Sequence, residues 1–394
     1  MNRAAQTYIV CLLGACLALA GCGEPSYLGK PSAAPASSYL ANAQAAHAYT
    51  VSNLLTSYGS YAIEPGSTTS YAWYDGSQIY ADAAMINVEG DATYAPYMNG
   101  TYNWMGGLWD IHSSTGGYWA SAGVDGSNPG GDQYVDDNSL IGLAYLDAYA
   151  ATTGSQQAAY LGSAEAIANW LMQSGMWDST FGGGFWWSTA KTLKPTQSNG
   201  LAMQLFLRLY KITGASYYLS WAQSIDTWLE STMYASSDGL YNWEIESDGT
   251  LETTQFTYDN AIMIEAFVLY SQIVGDSTYL TKAETLATNL NQSLFIPATG
   301  VYQFNTGDAR VNPTWSGWAS QAMIRLYQAD NNSKWLTDAK SNIDFINNYM
   351  RNPNTGAYYQ YCNVDGTGVN SDIEGVDQAW MQRIQTLYAP LSQN

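Results

Sequence analysis

The stretch GGGFWWSTAKTLKPTQSN, residues 182–199, joins a glycine run and three aromatic residues to an amide side chain, Asn199, at the start of an apolar segment. Two further asparagines, Asn138 and Asn260, hold the same place at spacings of 61 residues on either side. Each of them also follows a loop in which glycine precedes aromatic residues. A period of this length indicates a repeated supersecondary unit.

A second signal recurs between these loops. A glycine or asparagine closes one apolar segment, and Ser, Thr, Asp or Asn opens the next a few residues later, which is typical of a tight turn between two helices. Five such turns occur, at 88–94, 153–161, 213–219, 274–280 and 330–336. The repeated unit is therefore a helical hairpin.

The hairpins predict twelve helices, of which six follow long loops and six pair with them. The predicted spans are 38–57, 72–87, 92–105, 136–152, 155–174, 198–213, 215–233, 258–274, 276–294, 315–329, 333–350 and 375–389. Six hairpins can close into a ring, so we expect an all-α fold, an (α/α)6 barrel or toroid. An open solenoid is the alternative, but it would leave helix 38–57 without a partner at the far end of the chain.

Composition excludes several functions. The 394 residues contain 13 Lys+Arg against 33 Asp+Glu, a formal net charge of -20, so nucleic acid is not an expected partner. Only two histidines occur, which leaves carboxylates as the groups for catalysis. The bias toward Tyr (32) and Trp (15) over Phe (8) suits packing on half-polar sugar rings, although a tyrosine-rich core would have the same composition.

The N-terminus has the pattern of an export signal. Residues 1–21 carry a basic start and a short apolar run, and Leu-Ala-Gly-Cys at 19–22 resembles a bacterial lipobox. We expect a lipoprotein signal peptide over 1–21, lipid on Cys22, a flexible tether over 22–37 and a catalytic domain over 38–394. The protein would then be exported to the cell envelope, on its periplasmic or surface face, and held to a membrane by its lipid.

Two alternatives to this N-terminal interpretation stay open. Leu13-Gly14-Ala15-Cys16 is a weaker lipobox because cleavage there would cut the apolar run, and a plain secretory signal peptide is also possible. With Cys22 lipidated, Cys362 has no partner for an intrachain disulfide.

In a closed ring, the first turns of the six inner helices meet at one mouth. We expect a sugar-binding cleft there, since carboxylates, amides and indole rings together suit glycosidic bonds, hydroxyls and pyranose faces. The predicted substrate-binding residues are Asn138, Trp186, Trp187, Asn199, Tyr258, Asp259 and Trp315.

The adjacent carboxylates Asp136 and Asp137 open one of these helices and are the candidate catalytic residues. The helix N-terminus favours one negative charge, and that charge raises the pKa of its neighbour. One carboxylate would act as the nucleophile and the other as the acid. The alternative is that one of the two only caps the helix.

The order of these motifs resembles glycoside hydrolase family 76, the bacterial and fungal α-1,6-mannanases. The matching segments are 117–119 (GYW), 134–138 (YVDDN), 182–189 (GGGFWWST) and 198–202 (SNGLA), within a resemblance over roughly residues 70–390. It implies an (α/α)6 barrel that cleaves α-1,6-linked mannan with retention. The first aspartate, Asp136, would be the nucleophile and the second, Asp137, the acid/base.

Two departures from the family pattern concern the cleft. Ser139-Leu140 stands where an aromatic residue is common, and Tyr258-Asp259-Asn260-Ala261 stands where Tyr-Asn-Gln-Gly is usual. Asp259 is therefore either an additional ligand for a substrate hydroxyl or an ordinary helix cap.

We expect a monomer that cleaves mannan or a related α-mannoside within the chain. No metal ion and no cofactor are expected. Asp125 and Asp132 lie in a loop without EF-hand spacing, which favours a solvated loop over a calcium site. The alternatives are a glycan-binding lipoprotein without activity, a transglycosylase, or another (α/α)6 enzyme that degrades polysaccharides. Polysaccharide lyases and uronyl hydrolases fit less well, because their anionic substrates require basic residues in the cleft.

Overall fold

A computed structural model of the chain describes residues 38–392. This part of the chain forms twelve α-helices in the predicted order. They are α1 (Ser38–Asn53), α2 (Ala72–Ala84), α3 (Ala95–Met105), α4 (Val135–Ala150), α5 (Gly154–Gln173), α6 (Thr196–Thr213), α7 (Ser216–Trp228), α8 (Thr257–Val274), α9 (Ser277–Ser293), α10 (Gly317–Asp330), α11 (Ser333–Tyr349) and α12 (Gly375–Tyr388).

The even-numbered helices form an inner ring, in which each contacts the next and α12 returns to contact α2. The odd-numbered helices pack outside them as hairpin partners, and α1 packs on α12. The first and last helices of the fold therefore form the sixth hairpin. The predicted (α/α)6 barrel is confirmed, and the open solenoid is wrong.

The tight turns between hairpin helices use the predicted capping groups. Gly275 ends α8 in the left-handed conformation (φ 74°), which a residue with a Cβ rarely adopts, and Asp276 then accepts a hydrogen bond from the backbone N–H of Thr278 at the start of α9. Two predicted helices were too long as α-helices, since α2 and α7 end in π-helical turns over Met85–Glu89 and Leu229–Met233.

Short antiparallel strands connect the long loops before the inner helices. They are β1 (Thr69–Tyr71), β2 (Ser121–Gly123), β3 (Leu193–Pro195), β4 (Tyr234–Ala235), β5 (Leu240–Tyr241), β6 (Glu244–Glu246), β7 (Leu251–Glu252), β8 (Phe295–Ile296), β9 (Val301–Tyr302), β10 (Arg310–Val311) and β11 (Cys362–Asn363). They pair as β1–β2, β3–β6–β7, β4–β5, β8–β9 and β10–β11. The three-stranded sheet holds the loop before α6 against the loop before α8.

An amide side chain in the first turn of an inner helix grips the preceding loop. Asn199 accepts a hydrogen bond from the backbone N–H of Phe185 (2.8 Å) and donates to the carbonyl oxygens of Phe185 (3.2 Å) and Pro195 (2.9 Å). We call this arrangement the amide clasp. The same three bonds are made by Asn138 on Tyr118, by Asn260 on Tyr241 and by Gln378 on Tyr358.

Two of the predicted substrate-binding residues, Asn138 and Asn199, form clasps. Asn138 and Asn199 are fully buried, and their amide atoms are satisfied by the backbone of the protein. The predicted contact of these two residues with substrate does not fit this geometry. Their 61-residue register marks a structural contact, which explains why it recurs in helices that carry no carboxylate pair.

We predict that removing one clasp destabilises the barrel substantially. Asn260→Ala leaves the buried N–H of Tyr241 without a partner and removes one hydrogen bond from each of two carbonyl groups, so the free energy of unfolding should fall by about 2–4 kcal/mol. Urea denaturation followed by circular dichroism measures this loss. Asn53→Ala is the control, because Asn53 is exposed and its side chain donates only to the carbonyl oxygen of Tyr49. An equal effect of the two substitutions would contradict the structural role of the clasp.

The predicted signal peptide, Cys22 and the tether lie outside the described residues. Among helices within residues 38–392, none combines the length and the apolar character needed to cross a membrane.

Candidate active site

The second residue of four inner helices faces the mouth of the barrel. These residues are Trp73 of α2, Asp136 of α4, Gln197 of α6 and Tyr258 of α8, and all four line one cleft of about 320 Å³. Asp137, Trp187, Trp243, Trp315 and Trp318 complete its polar and aromatic surface. The ring therefore brings together residues that are about sixty positions apart in sequence.

Asp136 is held in place by two hydrogen-bond donors. The indole N–H of Trp187 donates to its Oδ2 (2.9 Å), and the backbone N–H of Asp137 donates to its Oδ1 (3.1 Å). Burial raises the pKa of Asp136 to about 6, and these two hydrogen bonds limit the rise because they favour the charged form. Asp136 is thus the carboxylate that ionises first.

Asp137 has a different environment, although it is the next residue. Burial raises the pKa of the Asp137 carboxyl well above its usual range, and the charge of Asp136 raises it further. Within residues 38–392, no hydrogen-bond donor to this carboxyl offsets the two effects. Asp137 is therefore the member of the pair that keeps its proton to higher pH. Because the two groups titrate together, a pH profile reports values that belong to the pair.

The two tryptophans of the loop before α6 have different roles. Trp187 is half-buried, lines the cleft and contacts Tyr134 (ring centroids 4.8 Å apart). Trp186 is buried, donates from its indole N–H to Asp178 (2.7 Å) and lies under the ammonium group of Lys194 (4.6 Å). The predicted sugar contact of Trp187 agrees with its position. That of Trp186 does not, because its ring packs away from the cleft.

The remaining predicted aromatic residues meet on the opposite wall of the cleft. Trp315 lies just before α10 and packs on both Tyr258 (5.0 Å between centroids) and Trp73 (5.4 Å, planes 30° apart). A sugar in the cleft would therefore have indole faces available on both the Trp187 side and the Trp315 side.

Asp259 lies behind the cleft wall. It is completely buried, and neither of its carboxylate oxygens has a hydrogen-bond partner in the described part of the chain. Burial raises the pKa of Asp259 well above its usual range, and Glu244 and Asp136 add to the increase. The prediction that Asp259 binds a substrate hydroxyl does not fit this position. Its raised pKa instead limits the negative charge that Asp259 adds beside Asp136.

The two loop aspartates that were considered as calcium ligands accept hydrogen bonds from nearby loop residues. Asp125 accepts a hydrogen bond from the backbone N–H of Ser127 (3.0 Å). Asp132 accepts from the hydroxyl groups of Ser188 (3.1 Å) and Thr189 (3.0 Å), and so ties its loop to the one that carries Trp187.

The profile of the family described as Glycosyl hydrolase family 76 matches residues 39–312. The chain belongs to glycosyl hydrolase family 76. A crystal structure of a family 76 glycoside hydrolase from a bovine Bacteroides thetaiotaomicron strain is similar to it with a TM-score of 0.76 and 21% identity, covering 90% of this chain and 78% of that one.

Two further similar proteins have names that refer to mannan or to its α-1,6-linked fragments. An inactive variant of the α-1,6-mannanase of Salegentibacter sp. HEL1_6, with two consecutive aspartates changed to asparagine and bound to α-1,6-mannotriose, has a TM-score of 0.74 and 19% identity over 90% of this chain and 99% of that one. A Schizosaccharomyces pombe protein named for mannan endo-1,6-alpha-mannosidase activity is 26% identical over 164 residues, or 38% of this chain. The matched segment spans only 37% of that relative.

Among the polar and aromatic residues that line the cleft of this family 76 chain, four are not in the predicted site: Trp73, Gln197, Trp243 and Trp318. For Gln197 a usable signal was present. It stands two places before its clasp residue Asn199, as Asp136 does before Asn138 and Tyr258 before Asn260. The other three are not marked by that register. Their positions depend on how the loops and helices pack at the mouth.

We predict that Trp187 sets the acidic limb of the pH profile. Trp187→Phe removes a donor that favours ionised Asp136, so the pKa of Asp136 should rise and the acidic limb of kcat/KM should move to higher pH by about 0.5–1 unit. Trp243→Phe is the control, because the indole N–H of Trp243 has no partner in the described residues. Equal shifts in both variants would mean that this hydrogen bond does not tune Asp136.

Proposed function

We propose that the protein is a retaining glycoside hydrolase that cleaves α-1,6-mannosidic bonds within mannan. One observation carries this proposal: two adjacent carboxyl groups line an aromatic cleft, and hydrogen-bond donors of the described chain contact only the first of them. Asp136 accepts two hydrogen bonds as an anion, whereas Asp137 keeps its proton because of burial and the charge beside it. Membership of family 76 and the mannan-related names of its relatives support the choice of substrate.

In the first step, a carboxylate oxygen of Asp136 attacks the anomeric carbon while Asp137 donates its proton to the glycosidic oxygen. The bond between the anomeric carbon and that oxygen breaks, and the leaving chain departs with a hydroxyl group. The product on the enzyme is a mannosyl ester of Asp136. Asp137 is then ionised, which gives it the charge that a base requires.

In the second step, Asp137 takes a proton from a water molecule, and the water oxygen attacks the anomeric carbon. The ester bond breaks, Asp136 is released as a carboxylate, and Asp137 is protonated again. Two displacements at one carbon restore the original configuration, so the sugar leaves as the α-anomer. Retention of this kind needs carboxyl groups about 5–5.5 Å apart, a range that neighbours on one helical turn can reach.

The placement of aromatic residues supports cleavage inside the chain. Trp187 and Trp243 come from the loops before α6 and α8, whereas Trp73 and Trp315 lie on the α2 and α10 side of the mouth. Indole faces on both sides of the aspartate pair would hold sugar units on both sides of the bond that is cleaved. We therefore propose endo action.

We predict that Asp136→Asn and Asp137→Asn each abolish most hydrolysis of α-1,6-mannan, while circular dichroism and the melting temperature show a folded barrel. Only Asp137→Asn should regain part of its rate on a substrate with a good leaving group, because that substrate needs no acid in the first step. Proton NMR of the first product should show the α-anomer, and early product mixtures should contain oligosaccharides of several lengths.

Other outcomes of these assays would point elsewhere. A β-anomer would require inversion and different roles for the two aspartates. Mannose as the sole early product would indicate exo action. Binding of mannan by the unsubstituted protein without turnover on α-1,6-, α-1,2-, α-1,3- or β-1,4-linked substrates would favour the glycan-binding alternative.

We also propose that the protein is an exported lipoprotein that Cys22 holds to a membrane. The proposal rests on the Leu-Ala-Gly-Cys sequence that ends the apolar run at 19–22 and on the Pro-, Ser- and Ala-rich stretch that follows it. An acyl chain stabilises membrane attachment by burying hydrocarbon, at about 0.8 kcal/mol per CH₂. A chain with a net charge of -20 offers no electrostatic substitute toward anionic lipid.

We predict that Cys22→Ser moves the protein from the membrane fraction to the soluble fraction, or stops its processing. Fractionation and intact mass measure both effects. Cys16→Ser is the matched control, since Cys16 ends the weaker lipobox-like sequence. Normal processing and membrane attachment of the Cys22→Ser variant would exclude lipidation at this residue.

A further inference from the structure

The loop that carries Trp187 encloses a buried lysine. Lys194, in β3, is completely buried, whereas the other lysines of residues 38–392 are half-buried or exposed. It does not line the cleft, and the proposed mechanism does not use it. Because an ammonium group loses its hydration on burial, it is stable in a protein interior only where the surrounding structure supplies acceptors in place of water. The contacts of Lys194 therefore indicate its role.

The acceptors of this ammonium group all belong to one short segment. Its Nζ atom donates to Oδ1 of Asp178 (2.6 Å) and to the carbonyl oxygens of Thr180 (2.8 Å) and Gly183 (2.7 Å). These three acceptors match the three protons of an ammonium group. The indole ring of Trp186 lies 4.6 Å from Nζ and adds a cation–π contact. Lys194 thus gathers this segment around a single positive charge.

The carboxylate among these acceptors is ionised. Burial acts to raise the pKa of Asp178, but hydrogen bonds from Lys194 and from the indole N–H of Trp186 (2.7 Å to Oδ2) hold that pKa below its usual value. Asp178 therefore binds the ammonium group through one oxygen and the indole through the other, which fixes the two groups side by side.

The backbone of the segment is strained where the ammonium group contacts it. Residues 181–184 have four consecutive positive φ angles, of 59°, 83°, 136° and 88°. Three of these residues are glycines, but Phe181 has a Cβ and rarely adopts such a conformation. The carbonyl groups of Thr180 and Gly183, on either side of Phe181, both accept from Lys194. The buried charge thus stabilises a loop conformation that the chain alone disfavours.

The end of this loop contacts the proposed nucleophile. The backbone N–H of Trp187 donates to the carbonyl oxygen of Leu193 (2.8 Å), which precedes Lys194. The carbonyl oxygen of Trp187 accepts from the N–H of Val135 (2.7 Å), which precedes Asp136. The indole N–H of Trp187 donates to Oδ2 of Asp136 (2.9 Å). A displacement of the loop would therefore change the hydrogen bond that favours the ionised nucleophile.

We propose that Lys194 is a positioning residue for the nucleophile. Its ammonium group fixes the 178–187 loop so that the indole N–H of Trp187 stays directed at Asp136, and it acts on the reaction only through that hydrogen bond. This inference rests on the proposed function, in which Asp136 attacks as an anion. An ammonium group suits the role better than a guanidinium group, whose five donors in a planar fork exceed the three acceptors present.

A crystal structure of the Lys194→Met variant tests the positioning without an activity assay. Methionine keeps the apolar stem of the side chain but removes the charge and the three donors. The indole nitrogen of Trp187 should then lie beyond about 3.5 Å from Oδ2 of Asp136, outside hydrogen-bond distance. Lys191→Met is the matched control, since Lys191 is exposed, lies three residues earlier and changes the net charge equally, and it should keep the bond.

An intact bond in the Lys194→Met structure would overturn the proposal. If the unsubstituted protein does not cleave mannan, the proposed function fails, and this structural comparison still decides the role of Lys194 in the loop.

The pH profile of kcat/KM on α-1,6-mannan tests the consequence for the reaction. Lys194→Met should move the acidic limb to higher pH by about 0.5–1 unit, as expected of Trp187→Phe, because Asp136 loses the same donor. In the double variant the two shifts should not add, since both remove one hydrogen bond. Lys191→Met should leave the limb in place. Additive shifts, or an unmoved limb with only a lower melting temperature, would mean that Lys194 has a structural role alone.

Asp178→Asn separates positioning from long-range electrostatics, and it keeps the test decisive if Lys194→Met does not fold. Asp178 is partly exposed, so the barrel should tolerate the change. Loss of a negative charge would by itself lower the pKa of Asp136 and move the acidic limb to lower pH. A loosened ammonium group would instead move the limb to higher pH, as the proposal requires. A shift to lower pH, or no shift, would overturn it.

The acids that interact with Asp136 are the same in all of these variants, because none of the substitutions changes Asp137 or Asp259. A change in the acidic limb therefore reports the position of the Trp187 indole.

Discussion

The amide clasp is the interaction on which the rest of the structure depends. A long loop entering a helix exposes backbone groups that must be paired, and one Asn or Gln in the first helical turn pairs three of them at once. The clasp fixes the position of the loop relative to the first turn of the helix that follows it. Since the loops carry Trp187 and Trp243 and the helices carry Asp136 and Tyr258, repeated clasps place residues from distant parts of the chain around one mouth.

The chemistry of the site then depends on the different environments of two neighbouring carboxylates. Asp136 receives an indole N–H and a backbone N–H, whereas Asp137 receives burial and the charge of Asp136. The loop before α6 supplies the indole, so the clasp made by Asn199 also positions the group that separates the two pKa values. One loop therefore links the packing of the barrel to the pKa of Asp136. Trp186 stabilises that loop by its contacts with Asp178 and Lys194.

The two ends of the barrel differ in the charge that they collect. The mouth gathers Asp136, Asp137, Asp259 and Glu244, and burial raises the pKa of each of these carboxyl groups. The opposite end gathers three of the five arginines of the described chain around Asp147 and Glu265. The raised pKa values limit the negative charge around Asp136, which suits chemistry on a neutral polymer. The arginine-rich end opposes the partial negative charge of the helix C-termini.

The sequence by itself determined the twelve helices, their pairing into hairpins and the aspartate pair, because helix caps, glycine turns and the 61-residue register are local signals that repeat along the chain. The sequence could not distinguish an asparagine that forms a clasp from one that binds substrate. Asn138 and Asn199 had the residue type and the place of sugar-binding amides, and Trp186 and Trp187 are adjacent and chemically alike. Which of them faces substrate depends on side-chain direction and on partners far away in sequence. Only the closed ring decided that Asp136 meets Trp187, that Trp73 reaches Trp315 and that Asp259 is buried with no hydrogen-bond partner among residues 38–392. Each of these arrangements depends on packing that brings together segments far apart in sequence.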